Sequence, residues 1–244
     1  MDPGLRGASV TAPVVDLTFP HRWQAEILAA RPPILPPRHF VYPREAEEVE
    51  RGALEVLIRP LETVIVGVDP PNSPQIRSEP TSSLVTGHDF SHAANAPKRE
   101  RALAPAGRSS HDQPFLATCA LGFHDPIVPT GVWSTPEPEK LCAVSGGYAY
   151  IIDTAAPQRF TMIPHRPVLE VRAATAENLL LFLGHRSILA WGAAGQAWES
   201  GKLSDEGVTI TAIVDGMLHG IGWEMTSDTE AAFSLDLRTG AIRR

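Results

Sequence analysis

The chain has 244 residues with a formal net charge of −7, and 43% of them are hydrophobic. That is enough apolar material for one sizeable soluble core. The negative balance argues against nucleic-acid partners, whose phosphates it repels at long range. The opening residues carry an early Asp2, several prolines and no continuous apolar core, so no secretory signal is expected. No run approaches the roughly 18 apolar residues of a membrane span. The expected compartment is therefore cytoplasmic, by absence of an address.

Proline accounts for 23 positions and is concentrated in the first 140. Prolines at 13, 20, 32, 33, 36, 37 and 43 remove backbone donors and disfavour helix in the residues before them. Segment 1–52 therefore reads as mostly loop. One short helix is expected over residues 21–30, with Trp23, Ile27 and Leu28 on one face, and a further helical turn or two over 45–51.

Residues 53–58 (ALEVLI) and 63–68 (TVIVGV) read as strands. They place 53–69 as isolated strands that join the downstream β-module. From 70 to 114, Pro, Ser, Ala, Asn, Arg and His dominate with little periodicity. This stretch is expected to be a disordered insert or linker.

After Phe115 short apolar runs alternate with Gly, Asp, Pro and Ser clusters, the form of an antiparallel meander. Three segments share one plan of strand, turn, strand, tight turn and short strand. The first runs through 141–144, 148–153 and 159–163. The second runs through 179–183, 188–191 and 196–200, and the third through 217–225, 230–237 and 241–244. Asp153, Gly192 and Asp236 enter the corresponding turns. Strands at 168–172 and 208–214 would precede the second and third units. The run 179–183 (LLLFL) is apolar on both faces and should be covered on both. Residues 209–213 (TITAI) alternate and should keep one wetter face.

This spacing resembles β-propeller repeats of the quinoprotein-like kind. Leu235-Asp236-Leu237-Arg238-Thr239-Gly240-Ala241-Ile242 looks like the strand–turn–strand that closes a blade. The Trp-Asp dipeptide of the WD40 class is absent. The resemblance implies an all-β domain over 115–244, a partial or open propeller-like array of antiparallel blades. Residues 53–58, 63–68 and 115–122 would furnish part of a fourth. The alternative architecture is a β-trefoil, because Gln196-Ala197-Trp198 resembles the Q-x-W signature of ricin-type lectins. The C-terminal region also looks like small bacterial proteins of no assigned activity, from which no site residue follows.

No catalytic, cofactor-binding or metal-binding motif is expected. His88 and His92 have helical metal-ligand spacing, but their flanks favour a solvated loop. His124-Asp125-Pro126 reads as a turn more readily than as a general-base pair. Ser145-Gly146-Gly147 is a hairpin turn. Cys119 and Cys142 lie in apolar runs and read as small buried hydrophobes. The functional expectation is a non-catalytic β-repeat module that binds a protein, peptide or small ligand, with self-association allowed. Its candidate binding face is Trp133, His185, Trp191, His219 and Trp223. Two alternatives stand beside it: an enzyme using His124, Asp125, His185 and His219, and a trefoil-type glycan binder.

Overall fold

The computed structural model describes residues 12–46, 52–61 and 113–243. Among them the fold is all-β, with no α-helix and a single 3-10 turn at Arg44–Ala46. The expected strand at 63–68, all of the 70–114 insert but its last two residues, and the His88/His92 pair lie outside the described residues.

Among the described residues seventeen strands form four sheets. Three sheets contain a meander laid down in chain order. The first is β6 (Gly131–Ser134), β7 (Lys140–Ser145), β8 (Tyr148–Asp153) and β9 (Phe160–Met162), with β1 (Val14–Asp16) added in parallel to β6. The second is β10 (Glu170–Ala174), β11 (Leu179–Leu183), β12 (Ile188–Gly192) and β13 (Gly195–Glu199). The third is β14 (Val208–Val214), β15 (Met217–Glu224), β16 (Thr229–Asp236) and β17 (Ile242–Arg243). The strands expected from residue 115 onward are therefore present, each within a few residues of its predicted limits.

The fourth sheet is mixed. Its order is β2 (Trp23–Leu28), β4 (Ala53–Pro60), β5 (Phe115–Ala120) and β3 (His39–Tyr42), with β3 parallel to β5. Here the sequence reading needs correction. Residues 23–28 are a strand, paired along their length with β4, and not a helix. Trp23 is fully buried and Ala25 and Ile27 pack behind it, while Gln24 and Glu26 are exposed. The segment read as mostly loop thus carries three strands.

Period-two alternation explains how the sheets assemble. In β7, Leu141 and Ala143 face the mixed sheet, whereas Cys142 and Val144 face the second meander. Tyr150 and Ile152 of β8 divide from Ala149 and Ile151 in the same way. All five residues of β11 are buried. Leu180 and Phe182 pack toward the first meander, and Leu179, Leu181 and Leu183 toward the third. Three cores result, each shared by successive sheets, and no sheet closes on itself. Each fully buried large side chain contributes about 1.5–3 kcal/mol. As expected, β14 is wetter: Val208 and Ile210 are buried and Thr209 and Thr211 are exposed.

The turn chemistry recurs at two of the three expected entries. Asp153 Oδ1 accepts from the Ala155 and Ala156 amides, both at 3.0 Å. Asp236 Oδ1 accepts from the Arg238 amide at 3.0 Å. The second oxygen of each pairs with the arginine beyond the turn, Arg159 at 2.8 Å and Arg243 at 3.0 Å. The Arg243 hydrogen bond is the main reason Asp236 ionises below the ordinary aspartate range. Both acids therefore fix hairpin geometry.

Candidate functional site

The five residues of the expected binding face divide into two groups. Trp133 and Trp191 belong to the core between the first and second meanders. Trp133 is 3% exposed, and Trp191 keeps only an edge at a shallow groove beside Ile151 and Thr161. His185 is exposed in the turn between β11 and β12, where its carbonyl accepts from the Gly207 amide at 2.8 Å. His219 and Trp223 are the pair the fold brings together. Both are half-buried on β15 and line one cavity of about 700 Å³.

Alternation along β15 sets the geometry. Leu218 enters the core between the second and third meanders. Gly220 and Gly222 share its face, and His219, Ile221 and Trp223 take the opposite one. The glycines are places of close approach, as glycine inside a strand often signals. A methyl group at Gly222 would overlap the Leu203 carbonyl, and one at Gly220 would strike the Phe233 ring. The 202–205 loop can therefore lie against β15. Ser204 Oγ accepts from the Trp223 amide at 2.8 Å, and the Asp205 amide donates to the Trp223 carbonyl at 2.7 Å. His219 Nδ1 lies 2.8 Å from Ser234 Oγ on the paired strand β16. The Lys202 side chain, bonded to Asp205, is the first cause holding that carboxyl below the usual aspartate range.

The residues of the enzymatic alternative do not converge. His124 and Asp125 sit in the connection from β5 to β6, His185 in the β11–β12 turn and His219 within β15. Asp125 Oδ1 accepts from the Ile127 amide at 3.0 Å, which makes it a turn former. Among the described residues two other hydroxyl–imidazole–carboxylate groupings occur that sequence reading missed. In one, Ser187 Oγ donates to Glu199 at 3.0 Å and lies 3.3 Å from His165 Nε2. In the other, Thr118 Oγ1 donates to Glu55 Oε2 at 2.6 Å and lies 2.8 Å from His39 Nε2. Both place the hydroxyl in the middle. A nucleophile triad needs the imidazole there, to take the hydroxyl proton. Here that proton already points at the acid.

The Glu55 group is the more buried. Arg31 Nε donates to Glu55 Oε1 at 2.8 Å, and Thr118 is fully buried. Because Thr118 donates to Glu55, its oxygen accepts from His39, so Nε2 carries the imidazole proton. Burial first, and then the nearby Arg31 charge, hold His39 below its ordinary pKa. The two phenols at this end are also satisfied. Tyr42 donates to the Pro157 carbonyl at 2.7 Å and Tyr150 to the Ala120 carbonyl at 3.1 Å.

Cys119 and Cys142 are free, fully buried thiols. Burial pushes both well above the ordinary thiol range. A protonated, inaccessible thiol is a poor nucleophile. In native protein at pH 8 neither cysteine should react with a thiol-specific disulfide reagent over the time in which a free-thiol control is consumed. Both should react once urea unfolds the chain. Fast native labelling would show that the sheets separate readily at these positions.

Among the described residues no group of three or more His, Cys, Asp or Glu could hold a metal ion. No helix there is long and apolar enough to cross a membrane. Trp198, of the Q-x-W tripeptide, is buried between the second and third meanders, and its Nε1 donates to the Leu237 carbonyl at 2.7 Å. Comparison of the chain with family models, curated proteins and solved structures returns no match.

Proposed function

We propose that this chain is a non-catalytic, propeller-like array of blade sheets that binds a protein, peptide or small ligand at its last blade, the sheet β14–β17. The observation that carries this reading is the joint placement of His219 and Trp223 at one cavity of about 700 Å³. That volume lies within the ~300–1,000 Å³ of ordinary ligand sites. A half-buried indole supplies apolar area at low entropic cost, and a histidine farther along the same strand face supplies a polar contact. The matching strand order of the three meanders, with the Asp–Arg turn shared by the first and third, supports the blade interpretation.

The trefoil glycan reading has less support, because Trp198 would need a ring face open to a sugar and is instead packed in a core. An enzymatic reading lacks convergent groups.

Display of a random peptide library against wild-type and Trp223→Ala protein tests the proposal. Sequences enriched by the wild type should lose at least about tenfold in affinity for the variant, a change of ~1.4 kcal/mol. Identical enrichment by both proteins would remove this face from consideration. A hydrolytic activity abolished by replacing a single polar residue would overturn the non-catalytic reading.

A further inference from the structure

A second cavity, of about 430 Å³, opens beside the edge strand β3, away from His219 and Trp223. Its lining includes Arg31, His39 and Arg44, together with the apolar Leu35, Val41 and Pro157, and among the described residues it contains no carboxylate. In a chain of net charge −7 that is a local reversal of sign.

The support behind the cavity is unusual too. Strands β4 and β5 are otherwise a near-continuous apolar surface, and in β5 Thr118 is the one polar residue among six buried ones. Yet Glu55, only 5% exposed, stands on β4 opposite it. A buried carboxylate is expensive, and an apolar replacement of similar volume is often neutral or stabilising. What this carboxylate does is hold other groups. It grips Arg31 through Nε, at 2.8 Å, and so fixes the plane of the guanidinium. Through Thr118 it also fixes the His39 ring. Arg44 is anchored separately by Nη2 donating to the Gln158 carbonyl at 3.0 Å. The opposite wall is tied in by Tyr42 on Pro157. Guanidinium groups held in this way are suited to two-pronged recognition of carboxylate or phosphate oxygens.

We propose that this cavity is a binding site for a small molecule carrying a carboxylate or phosphate group beside an apolar body. Arg31 and Arg44 take the anion, Leu35, Val41 and Pro157 take the body, and Glu55 is a positioning residue that acts through Arg31, with Thr118 bracing its second oxygen and the His39 ring.

The test uses the full chain, titrated with inorganic phosphate and, separately, with succinate, and followed by amide and imidazole NMR shifts. Sodium chloride at matched ionic strength is the control. Saturable shifts confined to His39, Val41, Arg44 and Gln158 are expected with at least one probe. The probe that binds more tightly identifies the anion class. Arg44 is exposed, so Arg44→Gln should keep the wild-type melting temperature while weakening that probe at least about tenfold. Glu55→Gln should weaken it as well, with the His39 ring shifts altered before any ligand is added. The proposal is overturned by shifts that do not saturate, by shifts scattered over surface arginines as for an adventitious ion only, or by an affinity unchanged in Arg44→Gln. Loss of binding at the β15 face would leave these outcomes untouched, so the two sites stand or fall separately.

Discussion

Replacing Trp133 with alanine should lower stability by about 3–5 kcal/mol, the range for removing a large buried aromatic. Trp133 is 3% exposed and packs with Cys142, Leu180 and Phe182 between two sheets. Deleting it opens a void that rigid sheets on both sides cannot collapse to fill. Trp223→Ala should remain within about 1 kcal/mol of wild type, because its ring is only half-buried. Urea titration followed by far-ultraviolet circular dichroism measures both. The midpoint for Trp133→Ala should fall with the slope unchanged, since the same surface is exposed on unfolding. A cost below about 1 kcal/mol for Trp133→Ala would mean that the first and second meanders do not share a core. Equal costs for the two variants would place Trp223 in the interior and withdraw it from the proposed site. The comparison therefore separates a structural tryptophan from a functional one on a single scale.

The division between those tryptophans could not be read from sequence. Each lies in a strand, and alternation says only that its face differs from that of its neighbours. Whether that face is core or surface depends on whether another sheet lies against it. β11 escapes this ambiguity because LLLFL is apolar on both faces, which implies cover on both, and the structure provides it. The Asp153 and Asp236 turns were legible for a similar reason. The Asx bond to an amide two residues on is local chemistry that needs no tertiary partner.

Strand β2 was misread because helical and extended geometry both bring residues four apart to one side. Trp23 and Ile27 satisfy either period. Ala25 and the exposed Glu26 between them decide for period two, and the prolines on both flanks shorten any helix below useful length. The mixed sheet was harder still. Its β3 pairs in parallel with β5 across the whole intervening segment, and no local pattern announces a partner at that separation. The Arg31–Glu55–Thr118–His39 network was invisible for the same reason, since its members come from four separate segments. The only trace in the sequence was a glutamate and a threonine placed within runs that were otherwise apolar.

That network carries the second large effect, and its expected form is an asymmetry. In Arg31→Ala the Glu55 carboxylate, whose side chain is 6% exposed, keeps the Thr118 hydroxyl as its one hydrogen-bond partner among the described residues. Stranding a buried charge costs about 3–5 kcal/mol, and the lower end applies because the Arg31 side chain is 42% exposed and partly screened. In Glu55→Ala the arginine left behind can turn to water. The remaining loss is one hydrogen bond from the buried Thr118 and some packing, about 1–3 kcal/mol. The double variant should therefore be no less stable than Arg31→Ala alone, since removing the acid also removes the stranded charge. Urea midpoints for the wild type, the two single variants and the double variant form a cycle whose coupling reads this directly. If the two single losses simply add, Glu55 and Arg31 act independently. The acid would then have no hold on the guanidinium, and the cavity beside β3 would lose the feature that distinguishes it from an ordinary basic surface. A coupling of more than about 1 kcal/mol, with Arg31→Ala the worse single variant, is what a buried carboxylate kept in order to fix a cation requires.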